Sequence, residues 1–110
     1  MQGREDRPAK LGRAELRARV AWALGTRQYR ILPHARQRCS ERGVTATSIA
    51  AVLEGGQDVP WRDRYDVPHR NWSYCFEGAG IDGEDLRVVV AFRDWMLVVT
   101  VVRLGGDRED

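Results

Sequence analysis

The chain has 110 residues, of which 43% are hydrophobic and 31% charged, so it can form one folded domain and does not belong to the intrinsically disordered class. It has no run of about 18 apolar residues, and its charged start is unlike a secretory signal, so we expect a soluble, cytoplasmic protein with no membrane partner. The net charge of +2 is uneven, because residues 1–55 carry 11 basic and 5 acidic side chains whereas residues 56–110 carry 7 and 11. A basic half favours an anionic partner such as nucleic acid.

The first half of the chain shows helical periodicity. After a start expected to be disordered over residues 1–10, Leu16, Val20 and Leu24 recur four residues apart and predict a helix that stops at Gly25. The following YRIL is compatible with a short strand or with an irregular lead-in to the next helix.

Two further helices are predicted in PHARQRCSER and ATSIAAVLE. Pro33 suits the first turn of a helix, where its missing N–H is not needed, and Gly43 suits the residue after a helix end. Thr45 is a candidate N-cap for the last helix, which closes at the glycine pair beginning with Gly55. The two helices should form a helical hairpin.

The hydrophobic period then changes from helical to alternating. Alternation predicts three strands, NWSYCFEG, LRVVVAF and WMLVVTVVRL. We predict a loop over RDRYDVPHR, a tight turn at Arg93-Asp94 and a disordered end over residues 105–110. The last two strands are apolar on both faces, which indicates a sheet covered on at least one side. We therefore predict an α+β fold, in which two to three N-terminal helices pack on one face of a three- to four-stranded antiparallel sheet.

The candidate catalytic residues are sparse, because the chain has only two histidines. On the second helix, His34, Arg38 and Arg42 recur four residues apart and share one face. This stripe would suit a phosphate group, or it is a solvated face on which Arg38 pairs with Glu41 or Glu54. Both interpretations remain open from spacing alone.

The other histidine, His69, precedes Arg70 in the predicted loop at the entrance of the aromatic strand. Together such residues could cleave RNA through its own 2′-hydroxyl, since histidine titrates near neutrality and arginine binds phosphate with paired hydrogen bonds. Tyr74 could supply a proton or stack on a base. This chemistry needs no metal or other cofactor, and the spacing of cysteine and histidine does not match a zinc site. Cys39 and Cys75 are interpreted as small buried hydrophobic residues.

The run HARQRCSERGVTATSIAAVLEGG resembles the opening of the domain-of-unknown-function family numbered four-two-five-eight. The matching features are His34, Ala35, Arg38, the E-R-G corner at Gly43 and the glycine at 55, and LRVVVAFRDWMLVVTVV resembles the closing strands of that family. The resemblance covers about residues 29–104.

This family is grouped with RelE-like and MqsR-like toxins, small ribonucleases that act on messenger RNA and are neutralised by an antitoxin. The resemblance implies a RelE-like fold, with His34, Arg38 and Arg42 as the first site candidates and Tyr74 and Thr100 as further positions on the sheet. The implied partners are RNA, which is free or held by a ribosome, and a cognate antitoxin. Two other functions stay open: a non-catalytic protein-interaction module of the same fold, and a nucleic-acid-binding protein without catalysis.

Overall fold

The elements follow the order expected from the sequence, with helices concentrated in the first half. The computed structural model describes residues 7–105. Its α-helices are α1 Arg13–Thr26, α2 Pro33–Arg42 and α3 Ala46–Gly55, and a short 3-10 helix spans Pro60–Arg62. Its strands are β1 Tyr29–Ile31, β2 Gln57–Asp58, β3 Arg64–Asp66, β4 Asn71–Ala79, β5 Asp85–Arg93 and β6 Trp95–Arg103. The predicted α+β class is confirmed.

One six-stranded sheet has the order β1-β6-β5-β4-β2, with β3 also paired to β4. All pairings are antiparallel except that of β1, which lies parallel to β6. The sheet is wider than the three to four strands predicted, because YRIL forms a strand and the predicted loop RDRYDVPHR contains β3. Between Val89 and Val90 the register shifts, and Val99 becomes the extra residue of a bulge on β6.

The helix ends follow the local chemistry of the sequence. Pro33 starts α2, and Gly43 ends it with a φ of 70°, a left-handed conformation that glycine adopts without a Cβ clash. The hydroxyl of Thr45 accepts a hydrogen bond from the Ser48 N–H at 3.1 Å, which confirms the predicted N-cap of α3. Helix α1 runs past the predicted stop at Gly25, and Arg27 caps it in the left-handed region.

The hydrophobic core lies between the helices and one face of the sheet, which we call the covered face. Buried side chains of the three helices pack against buried side chains of β4, β5 and β6. The helices contribute Leu16, Val20, Ala35, Cys39, Ile49, Val52 and Leu53, and the strands contribute Phe76, Leu86, Val88, Val90, Met96 and Val98. Both cysteines are free and buried, and burial raises the pKa of each thiol. The thiols are therefore protonated near neutrality.

The chain before α1 also contacts the sheet. The Nε1 of Trp72 donates a hydrogen bond to the Pro8 carbonyl at 2.9 Å, and the Lys10 ammonium pairs with a carboxylate oxygen of Asp63 at 2.9 Å. The disorder predicted for the two chain ends falls mostly outside the described residues. Among the helices within residues 7–105, none combines the length and apolar character needed to cross a bilayer.

Candidate functional site

Within residues 7–105, none of the three α-helices packs on the second face of the sheet, which we call the open face. This face forms a groove of about 350 Å³, which we call the open groove. Side chains alternate between the two faces of a strand, so every second residue of β5 and β6 points here. The floor is formed by half-buried apolar side chains, Val89, Ala91, Leu97 and Val99. The bulge on β6 adds Val99 to this floor beside Thr100.

Basic side chains surround the apolar floor. The open groove is lined by the guanidinium-bearing residues Arg62, Arg64 and Arg93, and by the hydroxyl-bearing residues Ser73 and Thr100. Register places Arg64 opposite Ser73, so that β3 adds its arginine to the edge of the same face. Arginine binds phosphate and carboxylate groups through paired hydrogen bonds, so this lining favours an anionic ligand.

At the end of β3, Asp66 and His69 form a hydrogen-bonded pair that lines the open groove. The imidazole Nδ1 lies 2.8 Å from Asp66 Oδ2, and the backbone N–H of His69 donates to Asp66 Oδ1 at 3.4 Å. The hydrogen bond from the His69 side chain is the main reason that the pKa of Asp66 is lowered. Both side chains are about half exposed, so solvent and ligand can reach them.

The carboxylate determines which ring nitrogen of His69 holds the proton. Because the lowered pKa keeps Asp66 ionised at neutral pH, its oxygens can only accept hydrogen bonds. Nδ1 therefore donates to Asp66, and the Nε2 of the neutral ring holds a lone pair. An imidazole fixed in this way is suited to take a proton from a ligand.

Arg62, one of the arginines that line the open groove, lies near the carboxylate of Glu77 on β4. Glu77 Oε2 accepts a hydrogen bond from Arg87 Nε at 2.8 Å and lies 3.9 Å from Arg62 Nε. Glu77 and Arg87 are opposite each other in the register of β4 and β5, on the open face. The close ion pair is therefore the one between Glu77 and Arg87, and the Arg62 guanidinium at one end of the open groove lies farther from the carboxylate.

The predicted stripe on α2 lies elsewhere. His34, Arg38 and Arg42 are all exposed, and none of them lines the open groove. Within residues 7–105 neither the His34 nor the Arg38 side chain has a hydrogen bond or ion pair, while Glu41 accepts from Gln37 instead. The pairing of Arg38 with Glu41 or Glu54 is therefore not observed.

Tyr74 lies on the covered face, away from His69 and Thr100. Its side chain is buried, and its hydroxyl accepts a hydrogen bond from the Leu11 N–H at 3.0 Å. Burial is the main cause that raises the pKa of the phenol. Tyr74 is thus part of the core, and the structure does not bring it together with the other predicted residues.

Of the residues predicted around the loop, His69 lines the open groove, whereas Arg70 ends the adjacent turn with a φ of 52° and does not line it. The groove residues that the sequence analysis missed include Asp66, Arg64 and Arg93. A carboxylate three residues before a histidine in a turn-rich segment was the available signal for Asp66. The arginines gave no such signal, because their face depends on the register of β3 and β5.

A family model described as "Domain of unknown function (DUF4258)" matches residues 31–103. No curated protein and no solved structure matches the chain. Within residues 7–105, no group of three or more potential metal-ligating side chains is present.

Proposed function

Because the chain belongs to the DUF4258 family, whose description states no activity, we propose its function from the open groove: it is a metal-independent endoribonuclease. The observation that supports this proposal best is the Asp66–His69 pair at the rim of a groove lined by arginines. A base of this kind beside cationic side chains suits attack of an RNA 2′-hydroxyl on the neighbouring phosphate.

In the proposed reaction, His69 Nε2 takes the proton of the 2′-hydroxyl as its oxygen bonds to phosphorus. The bond from phosphorus to the 5′-oxygen breaks, and that oxygen takes a proton from water in the open groove. The products are a 2′,3′-cyclic phosphate and a free 5′-hydroxyl. The hydroxide left by the water then removes the proton from His69, so the ring returns to its neutral form.

The other groove residues would bind rather than react. Arg93 would hold the phosphate oxygens, which gain negative charge in the transition state. Arg64 would join it by giving up the hydrogen bonds that its Nη1 donates to the carbonyls of Trp61 and Asp63. Asp66 is a positioning residue, because it keeps Nδ1 protonated and the ring oriented. The apolar floor contacts the sugar and base on either side of the scissile phosphate.

The cellular role belongs to the same proposal. From the grouping of the family with RelE-like and MqsR-like toxins, we propose a cytoplasmic messenger-RNA-cleaving toxin that an antitoxin protein holds inactive. Its target RNA would be free or bound to a ribosome.

The test compares the two histidines of the chain. His69→Ala should lower the rate of RNA cleavage about 10²- to 10⁴-fold, the usual contribution of a general base, whereas His34→Ala should leave it near the wild-type rate. Both side chains are exposed, so both variants should keep their circular dichroism and unfolding temperature. Purified protein would be incubated with labelled single-stranded RNA, and the product ends checked for cyclic phosphate.

The outcomes separate the possible sites. Loss of cleavage only in His34→Ala would move the site to α2 and refute the role of the open groove. Asp66→Asn should give a smaller loss than His69→Ala, because it removes orientation but not the base.

A second candidate is RNA binding without cleavage. It is favoured because His69 is the one histidine among the described residues that line the open groove, whereas His34 lies on α2. A second histidine that could donate a proton to the leaving oxygen is therefore not present in this lining. Wild-type protein that binds RNA in a salt-dependent way but leaves it intact would establish this candidate.

A further inference from the structure

A second groove lies on the other side of β1, between α2, α3 and the end of α1. We call it the helix groove; its volume is about 680 Å³. Its lining contains three arginines from three different elements: Arg27 after α1, Arg30 on β1 and Arg36 on α2. The consecutive elements α1, β1 and α2 thus place three arginines around one cavity, which a solvated face of a single helix would not do.

The electrostatics of the helix groove favour an anion. Among the described residues of the lining, Glu54 is the one carboxylate, against three arginines. Among the described residues no ion pair joins Glu54 to these arginines, and all four side chains are exposed. Three cations that repel one another and are not neutralised by the protein would be stabilised by a ligand with several negative charges.

The backbone of Arg27 adds an independent observation. It caps α1 with a φ of 60° and a ψ of 30°, donating its N–H to the carbonyls of Ala23 and Leu24. Glycine is the residue that favours this left-handed position, and an arginine there costs conformational free energy. Strain retained at a cap suggests that the side chain has a use, and here the side chain lines the helix groove.

The helix groove adjoins the open groove at the edge of the sheet. Arg30 is the register partner of Leu97 on β6, and Leu97 belongs to the floor of the open groove. Neighbouring strands are about 5 Å apart, so Arg30 lies one strand beyond that floor. A chain that crosses the open groove perpendicular to the strands would therefore reach the helix groove next.

We propose that the helix groove binds the phosphodiester backbone of the RNA strand whose scissile phosphate occupies the open groove. This inference rests on the proposed ribonuclease function. Arg27, Arg30 and Arg36 contact phosphates outside the cleaved step, so they bind without regard to base sequence. Such a site would let a chain with a net charge of only +2 hold RNA, because six of its 18 basic residues line the two grooves.

The experiment measures binding rather than cleavage, on a His69→Ala background that leaves RNA intact. Arg27→Gln, Arg30→Gln and Arg36→Gln are compared by fluorescence anisotropy with a dinucleotide and with a longer single strand. Each variant should weaken binding of the longer strand several-fold and reduce its salt dependence by about 0.7 in log-log slope per lost phosphate contact. Affinity for the dinucleotide, which fills only the open groove, should not change.

Arg27→Gly separates function from stability. Because glycine relieves the left-handed backbone, this variant should unfold at the same or a higher temperature than the parent while binding the longer strand less tightly. Arg19→Gln is the matched control, since Arg19 is an exposed arginine of α1 that lines neither groove and pairs with Glu15 at 3.2 Å.

Two results would overturn the inference: longer-strand affinity that is unchanged in all three glutamine variants, or an equal loss in Arg19→Gln, which would indicate a general effect of net charge. In either case, RNA cleavage by the protein with His69 intact would leave the proposed function standing. Conversely, groove-dependent binding by a protein that never cleaves RNA would refute the ribonuclease and retain the RNA path. Equal binding of double-stranded DNA of the same length would refute the single-strand path.

Discussion

The two faces of the sheet are built from the same strands but have different surroundings. Val88 and Val90 are completely buried at 0% exposure, whereas Val89 between them is partly exposed in the open groove. Residue type does not distinguish the three valines. The difference arises because the three α-helices of the described residues pack on the covered face.

This contrast divides stability from binding. On the covered face, apolar side chains of three helices and three long strands interlock, so a change there leaves a cavity. On the open face, the apolar floor is shallow, and the arginines at its rim are exposed and do not pack in the hydrophobic core. The open face is therefore the part of the sheet where residues can be selected for a ligand.

The largest expected effect on stability tests the two faces directly, with neighbouring residues of identical type. Val88→Ala should lower the free energy of unfolding by about 2–3 kcal/mol, through lost transfer free energy and a residual cavity. Val89→Ala should lower it by less than about 1 kcal/mol, because its site is already open to solvent. Urea unfolding of both variants measures the difference. Equal losses would mean that something covers the open face as well.

The next effect concerns the contact between α3 and β4 on the covered face. A Cβ on Gly56 would lie 2.6 Å from the backbone oxygens of Glu77 and Val52, whereas a Cβ on Gly55 would meet nothing within 4 Å. Gly56→Ala should therefore cost about 1–3 kcal/mol through overpacking against backbone. Gly55→Ala should be neutral or stabilising by about 0.5 kcal/mol. A loss in the Gly55 variant as large as in the Gly56 variant would refute the steric explanation.

The sequence predicts the elements better than their partners. Alternation and caps identified α2, α3, β4, β5 and β6, because those signals are local. The segment of β1 was left open between a strand and an irregular lead-in, and the loop predicted over the segment of β3 is wrong. Three residues are too few to show a period, and β1 and β3 are stabilised by pairing with β6 and β4 respectively. The width of the sheet was underestimated for that reason.

The site was less predictable than the fold. Helical spacing correctly put His34 and Arg38 on one exposed face, but spacing within a helix does not show whether a groove is nearby. Tyr74 looked chemically suitable, yet its side chain points to the covered face, which follows from pairing with Val90 in the sheet. The residues that line the open groove come together through tertiary register, which one sequence does not reveal.

A smaller effect on stability is expected where hydrogen bonds of Ser48 connect α3 to the turn between β4 and β5. The buried Ser48 hydroxyl donates to Glu84 Oε2 at 3.1 Å and accepts from the Ile81 N–H at 3.0 Å. Ser48→Ala should cost about 1–2 kcal/mol at neutral pH, because it leaves polar groups unsatisfied. Ser48→Thr, which keeps the hydroxyl, is the comparison variant.

The contribution of the hydrogen bond between Ser48 and Glu84 to stability should also depend on pH. The pKa of Glu84 is lowered, first by a hydrogen bond from its own backbone N–H and then by those from Ser48 and the Asp82 N–H. A lowered pKa in the folded state adds stability above the usual carboxyl pKa of about 4.3, and this is lost as pH falls through the folded value. Unfolding midpoints of wild type and Ser48→Ala should therefore converge in acid. A constant difference across the acidic range would contradict the role of Glu84.

The smallest effect on stability is expected from the rim of the open groove. Arg93→Gln removes an exposed guanidinium and should change the free energy of unfolding by less than about 0.5 kcal/mol. Its consequences should instead be electrostatic. The hydrogen bond with His69 remains the main cause of the lowered pKa of Asp66, but Arg93 also lowers it, so the pKa of Asp66 should rise in the variant.

Two measurements on Arg93→Gln complete the contrast between the faces. An NMR titration of the Asp66 carboxyl should show the upward shift, and RNA binding should lose about 0.7 in the slope of its salt dependence, as for one lost phosphate contact. Asp94→Asn, a change in charge at the adjacent turn residue, controls for a general field effect. If Arg93→Gln instead unfolds as readily as Val88→Ala with RNA binding unchanged, the arginines of the open face serve stability. The division between a stabilising face and a binding face would then be wrong, because both faces of the sheet would contribute to the stability of the fold.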